Sequence, residues 1–125
     1  MNDTVTEYLT LDDLLEMIRA LAVGPVRDVG LLDSAVNRPR SSAFGADAYE
    51  SIELKAAALL HSLTKNHSLV DGNRRVAWLA TVVFCDISGC DVTLTETDAF
   101  NLVWAIASSD VDLEQIAQRL CLERK

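Results

Sequence analysis

Residues 66 to 78 read NHSLVDGNRRVAW, and the polar ones have the types that proton and phosphate chemistry needs. His67 offers an imidazole, a side chain that titrates near neutrality and serves as a general base. Asp71 offers a hard carboxylate oxygen, of the kind Mg2+ takes when phosphates and water supply its other ligands. Gly72 and Asn73 tolerate the backbone of a tight turn. Arg74 and Arg75 bring two guanidiniums whose forked donors match phosphate. A base, a metal ligand and a phosphate cradle are the parts of phosphoryl or nucleotidyl transfer, where the protein mostly positions groups and stabilises charge. DGNRR alone also fits a solvated turn, with Asn73 as the N-cap of the helix that follows. Two arginines in a first helical turn face the positive end of the helix dipole, however, a cost in folding stability that a bound anion offsets.

The flanking sequence must hold this loop, and it is largely apolar with helical spacing. LDDLLEMIRAL, opened by a capping box of Thr10 and Asp13, puts Leu11, Leu14, Leu15, Ile18 and Leu21 on one face. AVGPVRDVG breaks the pattern, and a short helix LLDSAVNR ends at Pro39. RPRSSAFGADAY reads as an exposed loop carrying Phe44 and Tyr49, after which Ser51 caps IELKAAALLHSLTKN. RRVAWLATVVFCDISG is apolar on nearly every face, which places it at the centre of the fold, and Gly89 stops it. DVTL allows at most one weak strand. Thr95 and Asp98 open ETDAFNLVWAIAS, and Asp110 or Asp112 caps LEQIAQRLCLE. The expected architecture is all-α: a single domain over residues 1–125, with about six helices around a central buried one. Trp78 and Trp104 are expected in the core. His61, one turn before the loop, is expected to be a satisfied structural histidine.

Composition narrows the function. The chain has 125 residues, half of them hydrophobic, and a formal net charge of −8. Such an acid excess argues against direct nucleic-acid binding, where phosphate contacts supply most of the affinity. The basic residues gather at Arg38 and Arg40 and at Lys65, Arg74 and Arg75, an arrangement suited to a small anionic ligand. Cys85, Cys90 and Cys121 are odd in number and lack a CxxC spacing, so they are expected to be free, buried thiols in a reducing compartment. MNDTVTEYLT has neither the basic nor the apolar region of a secretory leader, and the apolar stretches are too short for a membrane span. A cytoplasmic protein without a membrane contact is expected.

HSLVDGNRR resembles the Fic/Doc signature H-x-F-x-D/E-G-N, which that family places between two helices. The Asn-Arg-Arg tail is closer to the Doc branch, written H-P-F-V-D-G-N-K-R. The resemblance extends over VRDVGLLDSAVNRP, FGADAYES and KAAALLHSLTKNH, and so over most of residues 7 to 120. It implies a small helical bundle in which His67 deprotonates a target hydroxyl and Asp71 holds Mg2+. It also implies that Gly72 and Asn73 shape an anion hole, with Asn73 and Arg75 meeting phosphate. Arg74 stands where the Doc branch has Lys. Fic adenylyltransferases read G-N-G-R-x-x-R; here Arg74 and Trp78 fill the second Gly and second Arg positions, as in Doc-like members. The resemblance thus implies transfer of the γ-phosphate of ATP to a Ser/Thr hydroxyl of elongation factor Tu, arresting translation. The implied partner is a small antitoxin whose helical tail lies in a groove of the toxin. The loop with Arg38, Phe44 and Tyr49 corresponds to the family's flap, which positions a target segment. Two positions depart from the pattern: Ser68 replaces Pro and Leu69 replaces Phe. A Fic-type adenylyltransferase and a catalytically degenerate binding module are the competing readings.

Overall fold

Thr10 accepts a hydrogen bond from the Asp13 amide while Asp13 accepts one from the Thr10 amide, and this closed capping box starts α1, Leu11–Leu21. In the computed structural model, which describes residues 6–125, the other helices begin in similar ways. The first five residues, part of the stretch read above for a leader, lie outside that description. Asp28 caps α2 (Val29–Asn37) and Ser51 caps α3 (Ile52–Lys65). Thr95 caps α5 (Glu96–Ser108), and Asp112 forms a capping box with Gln115 at α6 (Leu113–Arg119). Each such cap contributes roughly 0.5–2 kcal/mol by satisfying an otherwise unpaired helical N–H. The fourth long helix, α4 (Asn73–Ile87), is the exception. Its N-cap is Gly72, which has no side chain to close it.

Asn73 is therefore the first helical residue and not the cap expected from sequence. The centre of the fold also differs in detail from the reading above. Ten of the fourteen α3 residues are buried, against six of the fifteen in α4. The two helices pack against each other, and α4 turns Trp78, Leu79 and Val82 outward to a groove. A core of Leu14, Leu32, Leu60, Phe84, Leu102 and Ile116, all at most 1% exposed, draws on all six helices.

The strand content exceeds the one weak strand expected. Ser42–Ala43 (β1) pairs antiparallel with Ala46–Asp47 (β2) in a hairpin whose tip is Phe44–Gly45, and Cys90–Val92 (β3) pairs with Leu122–Arg124 (β4). The sequence pattern continued α6 through LCLE. Instead the helix ends at Arg119, because Cys121 takes a left-handed φ of 52° that redirects the chain onto β3. Arg124 then donates to Cys90 Sγ (3.1 Å) and to Glu53 in the first turn of α3 (3.2 Å). The amino-terminal segment is tied down by buried Ser88, whose hydroxyl accepts from the Glu7 amide and donates to the Glu7 carbonyl.

All three cysteines are free, but only Cys85 and Cys90 are buried; Cys121 is exposed, against expectation. Burial, followed by the neighbouring Cys90 and Glu53, pushes the Cys85 thiol up to about 12, which leaves it unreactive at neutral pH. A maleimide or disulfide reagent added to the native protein at neutral pH should therefore modify Cys121 fast. Cys85 and Cys90 should react only after denaturant is added, as counted by intact-protein mass.

Candidate active site at the tip of α4

The loop from His67 to Gly72 is short, polar and held by main-chain pairing. Residues 24–28 lie antiparallel to residues 68–71 as a strap, with an isolated bridge between Val26 and Leu69. The Gly24 amide donates to the Asp71 carbonyl (3.0 Å) and the Val70 amide donates to the Pro25 carbonyl (2.9 Å). The Ser68 carbonyl accepts from both the Arg27 amide (2.7 Å) and the Asp28 amide (3.1 Å). Ser68 and Leu69 (2% exposed) are buried along this extended piece, and Val70 turns outward (64%). Leu69, smaller than the family's Phe, still fills the core; burying such a side chain is worth roughly 1.5–3 kcal/mol.

Asn73 closes the loop from the other side. Its Oδ1 accepts from the Leu69 amide and its Nδ2 donates to the Leu69 carbonyl, both at 2.9 Å. Each half of the amide holds one Leu69 group, and Asn73 retains its second Nδ2–H and its main-chain N–H for an anion. That N–H and those of Arg74 and Arg75 precede the first closed helical bond, from the Val76 amide to the Gly72 carbonyl (3.0 Å). Gly72 has a φ of 91°, and a Cβ added there would lie 2.4 Å from Val23 Cβ. Only glycine lets the strap approach this closely while the chain turns into α4.

His67, Asp71, Arg74 and Arg75 are all exposed at this tip. Among the described residues, none of these charged side chains forms an ion pair. His67 has a left-handed φ of 50°, a conformation that costs an L-residue roughly 1–2 kcal/mol and needs its neighbours to hold it. Among the described residues no group of three His, Cys, Asp or Glu side chains could cage a metal ion. Asp71 is therefore a lone carboxylate, the donor set Mg2+ uses when phosphate oxygens complete its shell. The residues present fit ATP with Mg2+ in this respect.

The other basic residues do different work. Arg38 donates to the Tyr49 hydroxyl (2.9 Å), to Ser62 (2.8 Å) and to His61 Nδ1 (3.2 Å). Arg40 donates to the Leu9 carbonyl (3.2 Å) and lies over the Tyr8 ring, and Lys65 donates to the Ser109 carbonyl (3.1 Å). These three are structural, and of the five basic residues singled out in the sequence Arg74 and Arg75 remain as candidate anion ligands. His61 is the satisfied structural histidine the sequence suggested. The β1–β2 hairpin is anchored by buried Lys55, which pairs with Asp47 (3.0 Å) and donates to the Tyr49 carbonyl. Its tip residue Phe44 is fully exposed, while Tyr49 is half-buried against Arg38.

Beside the tip, α4 and α5 enclose a groove of about 590 Å³ lined by Arg74, Trp78, Val82, Glu96, Phe100 and Trp104 among others. Trp104 is 53% exposed, so it belongs to this groove and not to the core; Trp78 is half-buried between the two. Phe100 and Trp104 stack with centroids 6.3 Å apart, and the Arg74 guanidinium lies 5.3 Å from the Trp104 ring. The groove was not visible in sequence, because alternate apolar residues on α5 read equally well as core.

The Fic/DOC family model matches residues 8–85, and the chain belongs to that family. It is also 46% identical over 121 residues to a protein named Toxin Doc from Mycolicibacterium smegmatis (strain ATCC 700084 / mc(2)155), covering 93% of this chain and 92% of that one. Fic/Doc proteins are typically enzymes that transfer nucleotide or phosphate groups, generally with ATP and a metal. No helix among the described residues is long and apolar enough to cross a membrane.

Two measurements check this description. Gly72→Ala should lower stability by more than about 1 kcal/mol in denaturant titration, since the left-handed φ and the contact with Val23 act together. The second concerns His61, whose pKa lies below the ordinary 6.5 because burial removes water; Arg38 and then Lys65 add repulsion, and Asp110 opposes them. The unfolded chain takes up this proton at higher pH than the folded one, so stability falls as pH drops through and below 6.5. The thermal midpoint should decline between about pH 7 and pH 5.5, and His61→Gln should flatten that decline.

Proposed function

We propose that this chain is the toxin of a toxin–antitoxin pair, a Doc-type protein kinase that transfers the γ-phosphate of ATP to a Ser/Thr hydroxyl of elongation factor Tu and so arrests protein synthesis in the cytoplasm. The observation that carries the proposal is the α4 tip. A base, a lone carboxylate and two guanidiniums without an ion pair among the described residues share one short loop and the first turn of α4, with helical N–H groups that have no closed helical bond. The name of the mycobacterial relative supports the toxin assignment. Arg74 and Trp78, which fill the positions where adenylyltransferases carry a second Gly and a second Arg, support phosphate over AMP as the transferred group.

In this proposal His67 takes the proton from the target hydroxyl as it attacks. Asp71 would hold Mg2+. The Gly72 turn and the Asn73 clasp shape the anion hole, and Arg74 and Arg75 neutralise phosphate charge. When bound, ATP supplies the phosphoryl group and the metal offsets its charge. Single-domain organisation over residues 1–125 belongs to the same proposal. The apolar α4–α5 groove, with stacked Phe100 and Trp104 exposed, is the surface we assign to a helical segment of the antitoxin.

The test is incubation with elongation factor Tu and ATP labelled at either the α or the γ phosphate. Label should arrive from the γ position alone, and His67→Ala should reduce transfer by roughly 10²–10⁴-fold. Label from the α position would make the protein an adenylyltransferase. Growth arrest that survives His67→Ala would make it a binding module.

A further inference from the structure

His67 has no rigid neighbour of its own. The residue after it is Ser68, where the family pattern has a proline, so no ring fixes the backbone at that position. Yet His67 sits at a φ of 50°, a conformation that a free chain leaves readily. Something outside the loop must hold it. The structure assigns this to Arg27, which we infer is a positioning residue that orients the His67 imidazole by clamping the peptide that follows it.

One residue makes both contacts that matter. The Arg27 guanidinium donates to the His67 carbonyl, and the Arg27 main-chain N–H donates to the next carbonyl, that of Ser68, at 2.7 Å. Binding two successive carbonyls fixes two successive peptide planes. Those planes flank Ser68, so they fix its φ and ψ, and the first of them carries the His67 Cα from which the imidazole projects. Of the remaining strap bonds, the Asp28 amide shares the Ser68 carbonyl and those at Val70 and Asp71 lie further along, so the Arg27 guanidinium makes the contact on the His67 carbonyl. Arg27 is exposed and forms no ion pair among the described residues, so its charge is not committed elsewhere. A cationic donor on a carbonyl is also a stronger tether than a neutral amide. In this chain Arg27 supplies across 40 residues the constraint that a proline ring would supply locally.

This inference rests on the phosphotransfer proposal for its catalytic consequence, but the clamp itself is separable from it. The chain has two histidines, so the imidazole Cε1–H resonances can be assigned with a His61→Gln variant. In Arg27→Met the His67 resonance should shift and broaden while that of His61 holds. Phosphotransfer turnover should fall on the order of 100-fold, as for a displaced catalytic group, with KM for ATP within about threefold of the parent. Arg27→Lys keeps a cationic donor on a comparable stem and so preserves the fold; it should recover most of both readouts. A His67 resonance unchanged in Arg27→Met overturns the clamp. A loss confined to KM for ATP also overturns it, since Arg27 would then be touching phosphate. If the parent transfers no phosphate, the functional proposal fails and the resonances alone still decide the clamp.

Discussion

The arrangement of this site depends on the antiparallel pairing between residues 24–28 and 68–71. A loop as polar as VDGN, standing between two long helices, has no hydrophobic face large enough to fix it. Its order comes from main-chain hydrogen bonds on one side, from the Asn73 clasp on the other, and from Leu69 driven into the core beneath. The segment between α1 and α2 thus acts as part of the site. His67 and Asp71, the proposed base and metal ligand, stand on the loop, and the strap keeps them in register with the first turn of α4.

That first turn serves two surfaces at once. Its N–H groups open toward the loop, while Arg74 and Arg75 line the end of the α4–α5 groove, Arg74 over the Trp104 ring. The chain as a whole carries a net charge of −8, so the two guanidiniums stand out against an acidic background. They remain unneutralised because α4 starts at a glycine and has no acidic residue in its first turn, unlike α1, α3, α5 and α6. Among the six helices α4 alone has neither a side-chain cap nor an acidic first turn, which leaves the positive end of its dipole available to an external anion.

What could be read from sequence followed the range of the interactions. The site residues lie within nine positions, so their types and spacing were enough to assemble them, and family resemblance gave them order. Helix starts were equally local: Thr10, Ser51, Thr95 and Asp112 signal their own helices. Arg27 escaped notice because its meaning depends on a carbonyl 40 residues away. The same is true of β4, where LCLE has an adequate helical pattern and pairing with β3 decides otherwise. Asn73 was misplaced by one residue because a good N-cap residue and a good loop clasp share one side chain. Trp104 looked like core because periodicity reports an apolar face without saying what covers it.

Val23 and Gly72 behave as one volume, because their side-chain and backbone atoms already meet. Their substitutions are therefore epistatic, and the order in which they occur matters. A change at 72 while 23 keeps its Cβ meets both steric overlap and an unfavourable φ; once 23 is glycine it meets only the second.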